Sequence, residues 1–153
     1  MTESRQRIVV GVDGSESSKA ALRWAIRQAK LTGAKVDAVM AWRHPSTYGL
    51  AAVTSSEADL EGSARKDLIE VLNEVSALEP DVPVHPMVTE GHAAEVLARA
   101  ARGADLLVVG SRGHGAFAST MIGSVSLNCV LHAHCPVVVL REARTGQADL
   151  APA

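Results

Sequence analysis

Five short runs rich in Val, Ile, Leu and Ala, separated by segments of helical period, restrict this chain to very few architectures. Arg7–Val12, Lys35–Ala41, Val84–Val88, Leu106–Val109 and Cys135–Arg141 read as strands. Between them helical spacing recurs. Leu22, Ala25, Ile26 and Ala29 share one helical face, with Arg23, Arg27 and Lys30 off it. Leu60, Ala64, Leu68, Val71, Leu72, Val75 and Leu78 form a second apolar stripe; Val96, Leu97 and Ala100 form a third; Val125–Leu131 supplies the last helix. Regular alternation of strand and helix predicts an α/β fold, an open doubly wound parallel sheet with helices on both faces.

The punctuation agrees with that order. Asp13-Gly14 ends the first strand, and Ser15 is the expected N-cap, with Ser17 or Ser18 as neighbouring alternatives. Thr32-Gly33 closes the first helix. Ser56 with Asp59 signals the start of the second, and Pro80 and Pro83 forbid its continuation. Pro86 inside the third strand argues for a sheet edge. Arg43–Ser55 reads as an irregular loop and 142–153 as a frayed tail, so 1–153 is expected to be one domain with its core at about 7–141.

Composition narrows the classes of function. Aromatic residues make up 3% of the chain, so the core must be aliphatic, as in parallel sheets covered on both faces. A net charge of −2 with scattered Lys and Arg argues against a nucleic-acid partner. No apolar run approaches the ~20 residues that span a bilayer, and the start has no signal-peptide core. The two cysteines, Cys129 and Cys135, suggest no disulfide framework. The expectation is a cytoplasmic protein without a membrane partner.

The candidate site is the segment Gly110–Ser126, which follows an apolar strand and leads into a helix. Its spacing is Gly110-x2-Gly113-x9-Gly123-Ser124. Glycines let backbone N–H groups approach an anion, and a helix start adds unpaired N–H groups and the positive end of the dipole. In doubly wound sheets ligands sit at the carboxyl ends of strands where strand order reverses. That singles out this loop together with Gly11–Ser15 after the first strand. A tight strand-to-loop turn is the plainer reading of Gly110 and Gly113, a turn that of Asp13-Gly14, and a simple N-cap that of Ser124. No Gly-x4-Gly-Lys-Ser/Thr motif occurs, and no lysine follows Lys66, so a P-loop is excluded. Gly11-x2-Gly14 lacks the third glycine of a dinucleotide fingerprint. His132-x-His134-Cys135, with Cys129, raises a soft metal site, although nothing in that spacing makes the rings converge.

These residues resemble the ATP-binding branch of the universal stress proteins. The glycine spacing, the segment Ile8-Val-Val-Gly-Val-Asp-Gly-Ser15 and the segment His132-Ala-His-Cys-Pro-Val-Val-Val139 carry the resemblance over about residues 7–141. It implies a Rossmann-like sheet of the adenine nucleotide alpha hydrolase kind, with strand order 3-2-1-4-5 and a nucleotide at the switch point. The ligand set it suggests is Gly11, Val12, Asp13, Ala41, Val109, Gly110, Ser111, Arg112, Gly113, His114, Gly115, Gly123, Ser124, Val125 and Ser126. Ala41 would lie by the adenine. Gly110, Gly113 and Gly115 would free amides for phosphate and ribose, with Arg112 offsetting charge. The amides of Gly123–Ser126 and the Ser124 and Ser126 hydroxyls would suit terminal phosphates. The expected cofactor is ATP or another adenine nucleotide, with Mg or Mn beside the phosphates and Asp13 reaching the metal through water. A homodimer through the last strand, Val137–Leu140, is the expected assembly, because an apolar sheet edge needs a cover.

Carboxylates are scarce where chemistry would occur. Asp37 and Asp105 open their strands, at the wrong end of the sheet, leaving Asp13 and Glu90 at the carboxyl edge. No base stands out to activate water, so the loop is expected to hold a nucleotide with slow or no turnover. The alternatives are a slow ATPase or nucleotide-transferring enzyme on the same fold, and an interaction protein that binds no nucleotide.

Overall fold

A computed structural model describes residues 5–44, 56–112 and 122–141. Its elements are β1 (Arg7–Gly11), α1 (Glu16–Thr32), β2 (Lys35–Trp42), α2 (Glu57–Ser76), β3 (Val84–Glu90), α3 (Ala93–Ala100), β4 (Leu106–Gly110), α4 (Ser124–His132) and β5 (Val137–Leu140). All neighbouring strands pair in parallel, in the order β3-β2-β1-β4-β5. The reversal lies between β1 and β4, as expected. The loop expected at Arg43–Ser55 and the tail after Arg141 lie almost wholly outside the described residues.

Period-two alternation divides the core between the two faces of the sheet. Ile8, Val10, Val36, Ala38, Met40 and Val108 turn toward α1 and α2, where Leu22, Ile26, Leu68 and Val75 meet them. Val9, Val39, Leu107 and Val109 turn the other way, onto Val96, Leu97 and Cys129 of α3 and α4. The fully buried residues of both layers are nearly all aliphatic, with Trp24 and Trp42 packed at the margin of the first.

The helix ends follow their sequence signals. Ser15 caps α1 by accepting the Ser18 N–H at 3.2 Å. Gly33 ends it in the left-handed region, at φ 76°. At α2, Ser56 Oγ accepts the Asp59 N–H at 3.1 Å, and the Asp59 carboxylate accepts the Ser56 N–H at 3.3 Å. Leu78 departs from expectation. The helix stops at Ser76, and Leu78 is 70% exposed beyond it, because the turn toward Pro80 carries it off the apolar stripe.

β3 and β5 are the sheet edges. The Val36 N–H donates to the Pro83 carbonyl at 3.0 Å, an ordinary ladder distance. In a parallel ladder this register turns the nitrogens of Val84 and Pro86 outward. Pro86 therefore sits where the missing N–H costs the sheet nothing.

The opposite end of the sheet is held by Arg7. Its backbone N–H donates to Asp105 Oδ2 at 2.8 Å. Its guanidinium reaches Asp37 Oδ2 at 3.2 Å and the carbonyls of Ala100 and Arg102 at 2.9 and 2.7 Å. Asp37 and Asp105 are thus structural partners at the amino edge, in line with their exclusion from the site.

Candidate functional site

β1 and β4 are neighbours, so the loops that leave Gly11 and Gly110 start side by side at the carboxyl edge. Beside them a cleft of about 770 Å³ opens between the end of β2 and the helices α3 and α4. Ala41, Trp42 and Arg43 line one side, and Gly91, His92, Ala93, Ala94, Glu95 and Ala98 another; Ser124, Val125, Asn128 and His132 of α4 complete it. Its volume is in the range of small-molecule sites.

Of the residues expected from sequence, Ala41, Ser124 and Val125 line this cleft. Gly11, Val12, Asp13, Val109, Gly110, Ser111 and Arg112 lie along the same carboxyl edge. The side chains of Val12 and Val109 are buried in the core. Gly113, His114 and Gly115 lie outside the described residues.

The two starts of α3 and α4 differ from those of α1 and α2. Their N-caps, His92 and Gly123, make no side-chain capping bond. As in α1 and α2, the backbone ladder begins four residues after the N-cap, at Val96 in α3 and at Leu127 in α4. Helix geometry leaves the amides before those points without intrahelical acceptors. In α4 they belong to Ser124, Val125 and Ser126, and the first two residues line the cleft. Backbone donors and the positive ends of two short helices thus converge on one concavity, an arrangement that favours an anion.

Two groups assigned to phosphate have partners within the protein. The Gly123 N–H donates to the Ser111 carbonyl at 2.6 Å, drawing the two ends of the glycine loop together. The buried Ser126 hydroxyl donates to the Gly110 carbonyl, tying α4 to the end of β4. Gly110 and Gly11 also have packing reasons to be glycine. A β-carbon on Gly110 would stand 2.7 Å from the backbone of Ser17 in α1, and one on Gly11 would stand 2.7 Å from Leu97 Cδ1 in α3. Asp13 Oδ1 accepts the Ser15 N–H at 2.9 Å and the Ser15 hydroxyl at 2.5 Å, so the acidic turn also organises the start of α1.

The cleft adds residues that the sequence reading did not assign to it. Glu95 is a carboxylate on the cleft wall, whereas Glu90 ends β3 outside the lining. Its signal was its place at the third position of the helix that follows Gly91. His132 and Asn128 share the face of Ser124 at i+8 and i+4, and the Asn128 amide donates to the Ser124 carbonyl at 2.9 Å. A helix drawn to end at Leu131 hides this stripe.

The soft-metal alternative has no support. Among the described residues no three His, Cys, Asp or Glu side chains gather as ligands. Burial pushes the Cys129 thiol up to about 11, so it stays protonated at neutral pH and is a poor ligand. Burial also raises Cys135, with Arg7 opposing it. No helix among the described residues is long and apolar enough to cross a membrane.

The Universal stress protein family matches residues 4–141. A universal stress protein of Mycobacterium tuberculosis is 37% identical over 136 residues, which cover 88% of this chain and 45% of that protein. One of Mycolicibacterium smegmatis is 34% identical over 139 residues, covering 91% of this chain and 47% of the relative. The chain therefore spans about half the length of these curated relatives. A solved universal stress protein in complex with cAMP superposes with a TM-score of 0.68 at 25% identity, covering 92% of this chain and all of that one. One from Archaeoglobus fulgidus in complex with dAMP has a TM-score of 0.62 at 21% identity, over 88% of this chain and 96% of that one, and shares the fold. With the strand order, the switch-point edge and a family match over nearly the whole chain in agreement, this protein belongs to the universal stress protein family.

Proposed function

We propose that the protein holds an adenine nucleotide, ATP in the first instance, at the carboxyl edge and acts as a nucleotide-dependent regulator with slow or no hydrolysis. The observation that carries this reading is the cleft of about 770 Å³ beside the switch point, lined by Ala41, Ser124 and Val125 and facing two helix starts without side-chain caps. The cAMP complex of a family member supports an adenine ligand. Ala41 would flank the base, and the amides at the start of α4 would take phosphate oxygens. Arg43, His92 and His132 supply nitrogen donors along the walls.

An accompanying Mg or Mn ion would neutralise phosphate charge. Asp13, exposed at this edge, would meet its water shell, and Glu95 on the cleft wall would be a second carboxylate. Holding over cleavage is supported by the scarcity of carboxylates at this edge, where the sequence offers Asp13 and Glu90 and the cleft wall adds Glu95. Purified protein is expected to release an adenine nucleotide on denaturation, detected by mass spectrometry, or to gain thermal stability on adding ATP with Mg. Absence of both signals overturns this reading.

Self-association through β5 belongs to the same proposal. All four residues of β5 are half-buried at the sheet edge. Beside it α4 exposes Leu127, Val130 and Leu131, the last at 65%. A second copy pairing strand to strand would cover both. Light scattering should report a dimer at micromolar concentration, and the double variant Val130→Glu with Leu131→Glu should run as a monomer with unchanged circular dichroism. A monomeric parent protein refutes the dimer.

A further inference from the structure

Two adjacent serines in the first turn of α1 are buried, Ser17 at 2% and Ser18 at 4% exposure. Neither caps the helix, because Ser15 does. Their hydroxyls reach opposite loops. Ser18 Oγ accepts the Asp13 N–H at 3.2 Å and donates to the Ser15 carbonyl at 3.0 Å. Ser17 Oγ accepts the Arg112 N–H at 3.3 Å, across 95 positions of sequence. Asp13 and Arg112 are equivalent positions: each lies two residues past the end of its strand, Gly11 of β1 and Gly110 of β4. The backbone of Ser17 also rests directly on Gly110.

This arrangement differs from ordinary serine use at a helix start, where the hydroxyl satisfies the helix's own amides. Here one turn of one helix binds the second amide past the strand in both loops at the switch point. A buried hydroxyl with a fixed partner leaves those amides little freedom. Loop spacing, and hence the separation of any ligand contacts made from the two loops, becomes a property of α1.

We propose that Ser17 and Ser18 are positioning residues of the nucleotide site, holding the β1 and β4 loops at a set spacing without touching ligand themselves. The proposal rests on the nucleotide reading for its effect on affinity, and on geometry alone for the two tethers.

The test compares the full chain with Ser17→Ala, Ser18→Ala and Thr32→Ala. The last removes a hydroxyl at the far end of α1, where it donates to the Gln28 carbonyl at 3.1 Å, and leaves both loops untouched. ATP affinity is measured by calorimetry and amide exchange by NMR. Ser17→Ala is expected to accelerate exchange at Arg112 selectively, and Ser18→Ala at Asp13. Each should weaken ATP binding about fivefold, the equivalent of one lost hydrogen bond. Thr32→Ala should leave affinity within about twofold even where it lowers the melting temperature comparably. Unchanged exchange at Arg112 and Asp13 would overturn the tethers. Accelerated exchange with parental affinity would overturn the positioning role. If the parent chain binds no ATP, the nucleotide reading and the positioning role both fail, and the exchange data alone still decide the tethers.

Discussion

Replacing Arg7 with Met is expected to destabilise the fold by about 3 kcal/mol. The guanidinium serves three acceptors at the amino edge: Asp37 Oδ2 and the carbonyls of Ala100 and Arg102. Asp37 has a side-chain exposure of 10%, so removing Arg7 strands a carboxylate that water reaches poorly. The two carbonyls lose their charged donor in the same step. Arg7 is itself 23% exposed, which places the effect toward the lower part of the range for broken buried pairs. Adding Asp37→Leu should recover a large share, since an apolar pair leaves no charge unpaired. Urea denaturation of the two single variants and the double variant checks this. A cost below about 1 kcal/mol for Arg7→Met would show that the pair is solvated and of little consequence.

Gly110→Ala is the second large effect, at about 2–3 kcal/mol. The added β-carbon would meet the carbonyl carbon and oxygen of Ser17, each at 2.7 Å, as well as its hydroxyl. Backbone cannot swing away as a side chain can, so α1 or the end of β4 must move. Gly11→Ala is the contrast. Its β-carbon would meet Leu97 Cδ1 at 2.7 Å and Cδ2 at 3.2 Å, the far end of a side chain with other rotamers. Its expected cost is about 1 kcal/mol. Thermal or chemical denaturation of both variants should preserve that ranking, and equal costs would contradict it. Because Gly110 opens the glycine loop, the same displacement should weaken nucleotide binding in Gly110→Ala more than in Gly11→Ala.

Much of this was legible in the chain. Strand positions, the Ser15 and Ser56 caps, the Gly33 terminus and the edge position of the strand containing Pro86 all follow from short-range rules, and the structure agrees with each to within a few residues. Such rules operate within one helical turn or one strand, which is why they can be read without a partner in view. The order of the strands came from resemblance, because alternation does not say which strand lies beside which.

The less legible part depends on contacts between distant segments. Gly110 was read for its freedom to approach an anion and Gly11 as part of the turn after the first strand, and the structure gives each a close neighbour from another helix. The Gly123 amide and the Ser126 hydroxyl were read as ligand donors, and both bond to the end of β4 or the residue after it. Glu95, Asn128 and His132 meet at one cleft because α3 and α4 lie together across the sheet, a pairing that periodicity along either helix does not contain. Ser17 is the sharpest case. A serine near a helix start suggests a cap, whereas its partner is Arg112, 95 positions further along the chain.

Pro86 has a consequence for growth as well as for folding. A sheet that offers two good edges can add copies without limit, giving filaments. Here the outward nitrogen sequence of β3 is interrupted at Pro86, so that side makes a poor template. If two copies join through β5, as proposed, both free ends of the joint sheet would be these interrupted edges. Association would then terminate after one step, and a rising concentration of the protein would fill pairs rather than lengthen fibres.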